Sequence, residues 1–218
     1  MLKSLKAIVT ALALGLVSLP AGAVVFNFSN EFSGSGATCA NGSCATLAVT
    51  ANATGGVNFL LTGTMIGSEF ISELSGNQSP FDLVLGDFSG FTGTGADAVE
   101  AVHVGQDSFK ADGDGFFDWM VELSTNPPRF DGTDTLSWTI ANTSLSSIID
   151  AVSVGGSPGK NGFTFAIHAQ GLANGGGSGW FSTGGGGGEQ EVSEPSMLAL
   201  FGLGLLMMGF LRRRTAIA

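Results

Sequence analysis

Between residues 24 and 183 the apolar side chains come in short alternating stretches, each cut off by glycine, asparagine, aspartate or serine. Leu136-Ser137-Trp138-Thr139-Ile140 alternates, and in Phe163-Thr164-Phe165-Ala166-Ile167 the odd positions could face a core. A period of two puts every second side chain on one face of a strand, whereas a core-facing helix needs a period near 3.6. No long apolar run occurs in this region. Strands are expected over 24–32, 45–51, 57–65, 81–88, 98–104, 116–123, 135–141 and 163–169, with a helical turn within 143–151. The chain holds 35 Gly and 17 Phe but no Tyr, and glycine-rich turns between Phe- and Val-rich strands suit an antiparallel sheet protein. The expected fold is all-β, an antiparallel β-sandwich of jelly-roll-like kind, over residues 24–182.

The two ends break this pattern. At the front, Lys3 and Lys6 precede an apolar run from Ala7 to Leu19, then Pro20 and the small-residue site Ala21-Gly22-Ala23. A positive start, a short apolar stretch and a small-x-small site describe a secretory signal peptide over residues 1–23. Cleavage between Ala23 and Val24 would leave Val24 as the new N-terminus. At the back, residues 196–211 read SMLALFGLGLLMMGFL, with Arg212, Arg213 and Arg214 directly behind. Sixteen helical residues rise about 24 Å, a short membrane span. Arginines resist translocation, so this cluster would stay cytoplasmic. Export from the front and retention at the back place the middle outside the cytoplasm. Gly175 to Gly177 and Gly184 to Gly188 make the approach to the tail glycine-rich, and a flexible linker is expected over 183–194.

Ahead of that span stand Ser193-Glu194-Pro195. A short Pro-Glu-Pro-like motif, an apolar helix and an Arg cluster, in that order, form the sorting signal of exosortase substrates. Residues 193–215 therefore resemble the PEP-CTERM family, with Ser193 where the family commonly has its first Pro. The resemblance implies handling by two processing enzymes, a signal peptidase and an exosortase. It also implies transient residence in the inner membrane through the helix, then release to the cell surface or extracellular polysaccharide. In the body, residues 111–118 and 166–171, followed by Ser178-Gly179-Trp180, resemble segments of some exported proteins of this kind. That likeness implies a related sandwich whose last strand carries His168.

Charge narrows the partners. Only Lys110, Arg129 and Lys160 lie between the ends, against all 18 Asp and Glu. Such a field repels nucleic acid and leaves cations or a hydrated polysaccharide as neighbours. The same acidity would also keep an exported domain soluble.

Four sets of residues could carry chemistry. Cys39 and Cys44, with Asn41-Gly42 between them, are the only cysteines, and in an oxidising compartment they are expected to close a small disulfide loop. Asp112, Asp114 and Asp118 offer clustered oxygens to calcium. The EF-hand order fails, because Phe117 stands where its glycine belongs and Leu123 where its final glutamate belongs. The alternative is an acidic turn leading into a strand whose Asp118 faces water. His103 and His168 lie in expected strands, and neither G-x-S-x-G nor H-E-x-x-H occurs, so no catalytic set and no cofactor is expected beyond that calcium. Among Trp119, Trp138 and Trp180, the last sits in a glycine-rich segment and is the one expected to be exposed for stacking on a sugar. The leading expectation is a non-enzymatic structural or interaction protein of the surface or matrix. A secreted carbohydrate-binding module and a secreted hydrolase are the alternatives.

Overall fold

Alternation becomes sheet where the apolar side chains of neighbouring strands share a row. The computed structural model describes residues 23–34, 39, 42–112, 115–155, 162–172 and 177–183. In chain order the described strands are β1 (Val24–Asn27), β2 (Asn30–Gly34), β3 (Ala45–Ala51), β4 (Val57–Gly63), β5 (Phe70–Gly76) and β6 (Phe88–Thr92). They continue with β7 (Val99–Lys110), β8 (Phe116–Leu123), β9 (Phe130–Asp131), β10 (Thr135–Ile140), β11 (Phe165–Leu172) and β12 (Gly177–Ser182). A short helix, α1 (Leu145–Ile149), follows β10, and the Ser144 side chain caps it by accepting from the Ser147 N–H.

The strands form two antiparallel sheets packed as a sandwich. One sheet has the order β1-β3-β4-β10-β6; the other runs β2-β12-β11-β5-β8-β7, with β9 paired to β5. In the first sheet, register aligns Val24 with Val49, Val49 with Phe59 and Phe59 with Trp138. Phe59 and Trp138 stack with ring centroids 4.9 Å apart, 7° from parallel. Across the sandwich, Phe59 meets Trp119 and Phe165 edge-on, and Phe26 meets Phe165 at 4.9 Å. Burial of these aromatic and aliphatic rows is the dominant driving force of the fold. Gly76 is fixed by this packing, since a Cβ there would lie 2.2 Å from the Trp119 ring.

Expected and observed elements differ where alternation and topology part company. The stretch 24–32 is not one strand. The chain turns at the fully buried Phe28, whose N–H donates to Ala45 O, and β1 and β2 enter different sheets. Residues 81–88 do not form a strand either. Asp87 accepts from the Val84 N–H and the Asn142 side chain, folding Leu85–Asp87 into a 3₁₀ turn and leaving Val84 and Leu85 exposed. The central β5 was not expected at all. A bulge opposite His168 and Ala169 lets both Ile71 and Leu74 reach the core, so its apolar positions do not alternate. The last described strand is β12 and not the His168 strand, β11.

Cys39 and Cys44 are joined in a disulfide with Cα atoms 5.1 Å apart, and both belong to the core. Residues 1–22, Asp114 and residues 184–218 lie outside the described residues, and with them the expected signal peptide, most of the linker, the sorting motif, the span 196–211 and the arginine cluster. Among the described residues no helix is long and apolar enough to cross a membrane. Val24, expected to follow the signal cleavage site, opens β1.

Candidate functional site

Where β5 ends, the chain passes through a cis Ser79–Pro80 bond and runs along the end of the sandwich. Three clefts lie along this segment and share its residues. The first, about 310 Å³, is lined by Gln78, Pro80, Asp82, Asn142, Thr143 and Ser147 among others. The second, about 570 Å³, shares Gln78 and Pro80 and adds Asn77, Phe81, Gln106, Asp107, Asp118 and Asp150. The third, about 510 Å³, shares Phe81 and is otherwise mostly apolar, with Leu83, Val84, Leu85, Val102, Val104 and Phe109. These adjoining clefts form a row, a groove in outline, whose lining passes from mostly polar in the first to mostly apolar in the third.

Hydrogen bonds hold the polar end rigid. Asp118, on β8, is buried, and its two oxygens each accept a backbone N–H at 2.9 Å, one from Gln78 and one from Asp107. One carboxylate thus ties the segment leaving β5 to the bulge in β7 that carries Gln106 and Asp107. Burial pushes the Asp118 carboxyl above its ordinary value. The hydrogen bonds from Gln78 and Asp107 pull it down, and the Asp107 charge adds to the rise. The Gln78 side chain donates to Asp82 Oδ1 at 2.7 Å and Thr143 Oγ1 at 2.8 Å and accepts from the Asp82 N–H. Asn77 donates to the Phe163 carbonyl. Among the described residues only three non-glycine positions have positive φ, and two of them, Asp107 and Asn142, line this groove.

The sequence-derived sites fare unequally. Trp180 is a correction: it is 9% exposed and belongs to a small apolar cluster with Ala111, Phe117, Phe163 and Ala166. Its ring stacks on His168 at 4.8 Å, because the two are register partners on adjacent strands. Trp119 and Trp138 are core residues. Asp118 does not face water. Asp112 accepts from the Ser33 hydroxyl while Asp118 serves Gln78 and Asp107, so these two carboxylates are not brought to one cation. Among the described residues no three His, Cys, Asp or Glu side chains are grouped to hold a metal.

The histidines each face a glutamate. His103 Nε2 lies 3.0 Å from Glu122, and His168 Nδ1 lies 3.6 Å from Glu73 and 3.1 Å from Ser72 Oγ. Glu73 and Glu122 are themselves register partners on β5 and β8. Sequence reasoning missed Phe81, Phe109, Gln78 and Asp107, the residues that shape the groove. Single residues of these types, in the segment after β5 or in and beside the bulge of β7, carry no spacing signal that would single them out.

The tail supplies what the body does not. Residues 191–214 match the PEP-CTERM protein-sorting motif. The chain carries an exosortase sorting signal. It is an exported, exosortase-associated protein, and the match spans the Glu194-Pro195 pair, the apolar run and the arginines. No curated protein and no solved structure matches the chain.

Proposed function

We propose that this PEP-CTERM protein is a non-enzymatic interaction protein of the cell surface or extracellular polysaccharide, and that its groove along residues 77–85 holds a glycan chain. A signal peptidase removes the front after Ala23. The helix 196–211 holds the chain in the inner membrane with Arg212, Arg213 and Arg214 inside, and an exosortase cuts near Glu194-Pro195. The jelly-roll-like body is then free at the surface.

The observation that carries the glycan reading is the make-up of the groove. Carbohydrates present hydroxyl edges and apolar ring faces. The groove sets amides, hydroxyls and carboxylates beside two partly exposed phenylalanines, Phe81 and Phe109. Of the six exposed large hydrophobics among the described residues, Val84, Leu85, Val152 and Val154 all line it. Clustered exposed apolar side chains mark a binding surface. The non-catalytic reading draws on Asp118, the buried acid of the groove, whose oxygens are both spent on backbone N–H groups. The test is affinity electrophoresis of the mature body through gels holding soluble polysaccharides. Retardation should be lost in Phe81→Ala/Phe109→Ala and kept in Trp180→Ala. Free migration of the wild type in every gel, or unchanged retardation of the double variant, would sink the reading. Hydrolysis of a retarding polysaccharide would replace it with the hydrolase reading.

A further inference from the structure

Among the described residues, the carboxylates along the groove face no lysine or arginine. Asp82, Asp107, Asp118 and Asp150 line the first two clefts, and among the described residues no Lys or Arg lines any of the three. His103 lines the apolar cleft, and it already faces Glu122. The four carboxylates are not equivalent. Asp118 is closed by its two backbone partners, and Asp82 accepts from Gln78. The carboxylates of Asp107 and Asp150 accept no hydrogen bond and form no ion pair among the described residues, and both residues are exposed in the second cleft. They are the groups available to a ligand there.

Acidic residues alone would mean only a solvated rim. Here they stand beside the apolar surface of Val152, Val154 and Phe81 in the same cleft. An occupant must therefore offer an apolar face and, within the same few ångströms, groups that carboxylates attract. An acidic polysaccharide satisfies the first condition and violates the second, since like charges brought together in a partly dry cleft repel. A neutral polymer leaves two free carboxylates with only hydroxyl donors. A polymer of amino sugars with free amines meets both conditions. Each protonated amine is a charge-assisted donor, and the sugar ring carries the apolar face. Resting on the glycan reading above, we propose that the groove selects a polysaccharide bearing free, protonated amines, held by Asp107 and Asp150 while Phe81 packs against a ring face.

Phe81 joins the second and third clefts, so a bound chain continues from the carboxylates onto the apolar stretch of Leu83, Val84 and Phe109. Selectivity would then come from charge and register from the apolar contacts. Because exposed ion pairs weaken with salt, the preference for amines should shrink as ionic strength rises, while the part due to Phe81 should not.

Titration calorimetry on the mature body tests this with three oligosaccharides of equal length: a glucosamine hexamer with free amines, its fully N-acetylated form and an oligouronate. The experiment is run at mildly acidic pH, where the amines are protonated. The free-amine hexamer should bind most tightly and the oligouronate not at all. Asp107→Asn and Asp150→Asn should each weaken the free-amine hexamer about two- to fivefold and leave the N-acetylated form unchanged. Phe81→Ala should weaken both. Equal binding of the free-amine and N-acetylated hexamers, or preference for the oligouronate, would overturn the amine inference while leaving the glycan reading in place. Binding of none of the three, together with free migration in the gels, would overturn both. Circular dichroism of each variant shows that a loss of binding is not a loss of fold.

Discussion

Replacing Asp118 by Asn is the sharpest test of how the groove is built. The substitution keeps the shape of the side chain and removes one acceptor. In the wild type both carboxylate oxygens receive a backbone N–H at 2.9 Å, from Gln78 and from Asp107. The asparagine oxygen can accept one of these. Its NH₂ would face the other N–H, donor against donor, and that amide would lose its partner. Hydrogen bonds to charged groups contribute about 1.5–3 kcal/mol, and a stranded buried donor costs about 1–3 kcal/mol. Against this, the variant no longer holds a charge away from water, the same burial that raises the Asp118 pKa. The net expectation is a loss of about 1–3 kcal/mol at neutral pH, or a fall in Tm of about 3–10 °C for a domain of this size.

The pH dependence has a definite sign. A carboxyl whose pKa is raised on folding binds its proton more tightly in the native state than in the unfolded one. Its contribution is most favourable below the unfolded value near 3.8 and declines as pH rises through the higher folded value. The stability gap between wild type and Asp118→Asn should therefore be widest in acid, narrow over that window and stay flat above it. Urea denaturation followed by circular dichroism across pH measures the gap. Hydrogen exchange of the Gln78 and Asp107 amides locates the damage, and at least one of them should lose protection. Equal stability at neutral pH would refute the clasp, and a gap that widens with rising pH would refute the assigned balance of burial over hydrogen bonding.

Two further outcomes follow from the disulfide and the tail. Cys39→Ser/Cys44→Ser should cost about 2 kcal/mol, because the loop it closes is short. Native protein should show no free thiol by alkylation and mass spectrometry until it is unfolded and reduced, since both cysteines are buried. Protein recovered from the cell surface should start at Val24 and end near Glu194-Pro195. Cells lacking exosortase should keep the chain through Ala218, and an unprocessed tail on surface protein from normal cells would contradict cleavage.

Much of the sandwich was legible because half-buried strands write their burial directly into alternation. Residues 45–51 and 116–123 are expected and observed as strands with the same bounds, and Leu136, Trp138 and Ile140 face the core as their spacing requires. The failures have physical causes. β5 lies between β11 and β8, and its bulge puts residues three apart on the core side. Its sequence, Phe70-Ile71-Ser72-Glu73-Leu74-Ser75-Gly76, therefore shows no period of two. β12 begins Gly177-Ser178-Gly179, and at Gly179 a Cβ would lie 2.8 Å from Glu31 Oε1 and 3.1 Å from the Phe181 ring. That composition reads as a loop when its partners are not known. Trp180 looked exposed for the same reason. Its burial depends on His168, Phe163 and Ala111, which come from other strands and loops.

Sequence alone determined the address of this protein and the class of its fold. A sorting signal is a linear object, an acidic-proline pair, an apolar run and an arginine cluster in fixed order, and it must be readable without a folded domain. Strand alternation is equally local. The groove is the opposite case. Asp118, Gln78, Asp107, Phe81 and Asp150 are scattered over more than seventy residues, and no spacing among them means anything until two sheets stack. Only the tertiary structure decided that one buried carboxylate would tie the segment after β5 to the bulge of β7 and leave Asp107 and Asp150 open beside apolar side chains. Contacts between distant segments exist only when the chain has closed, and those contacts bring residues with no common sequence pattern to one candidate site.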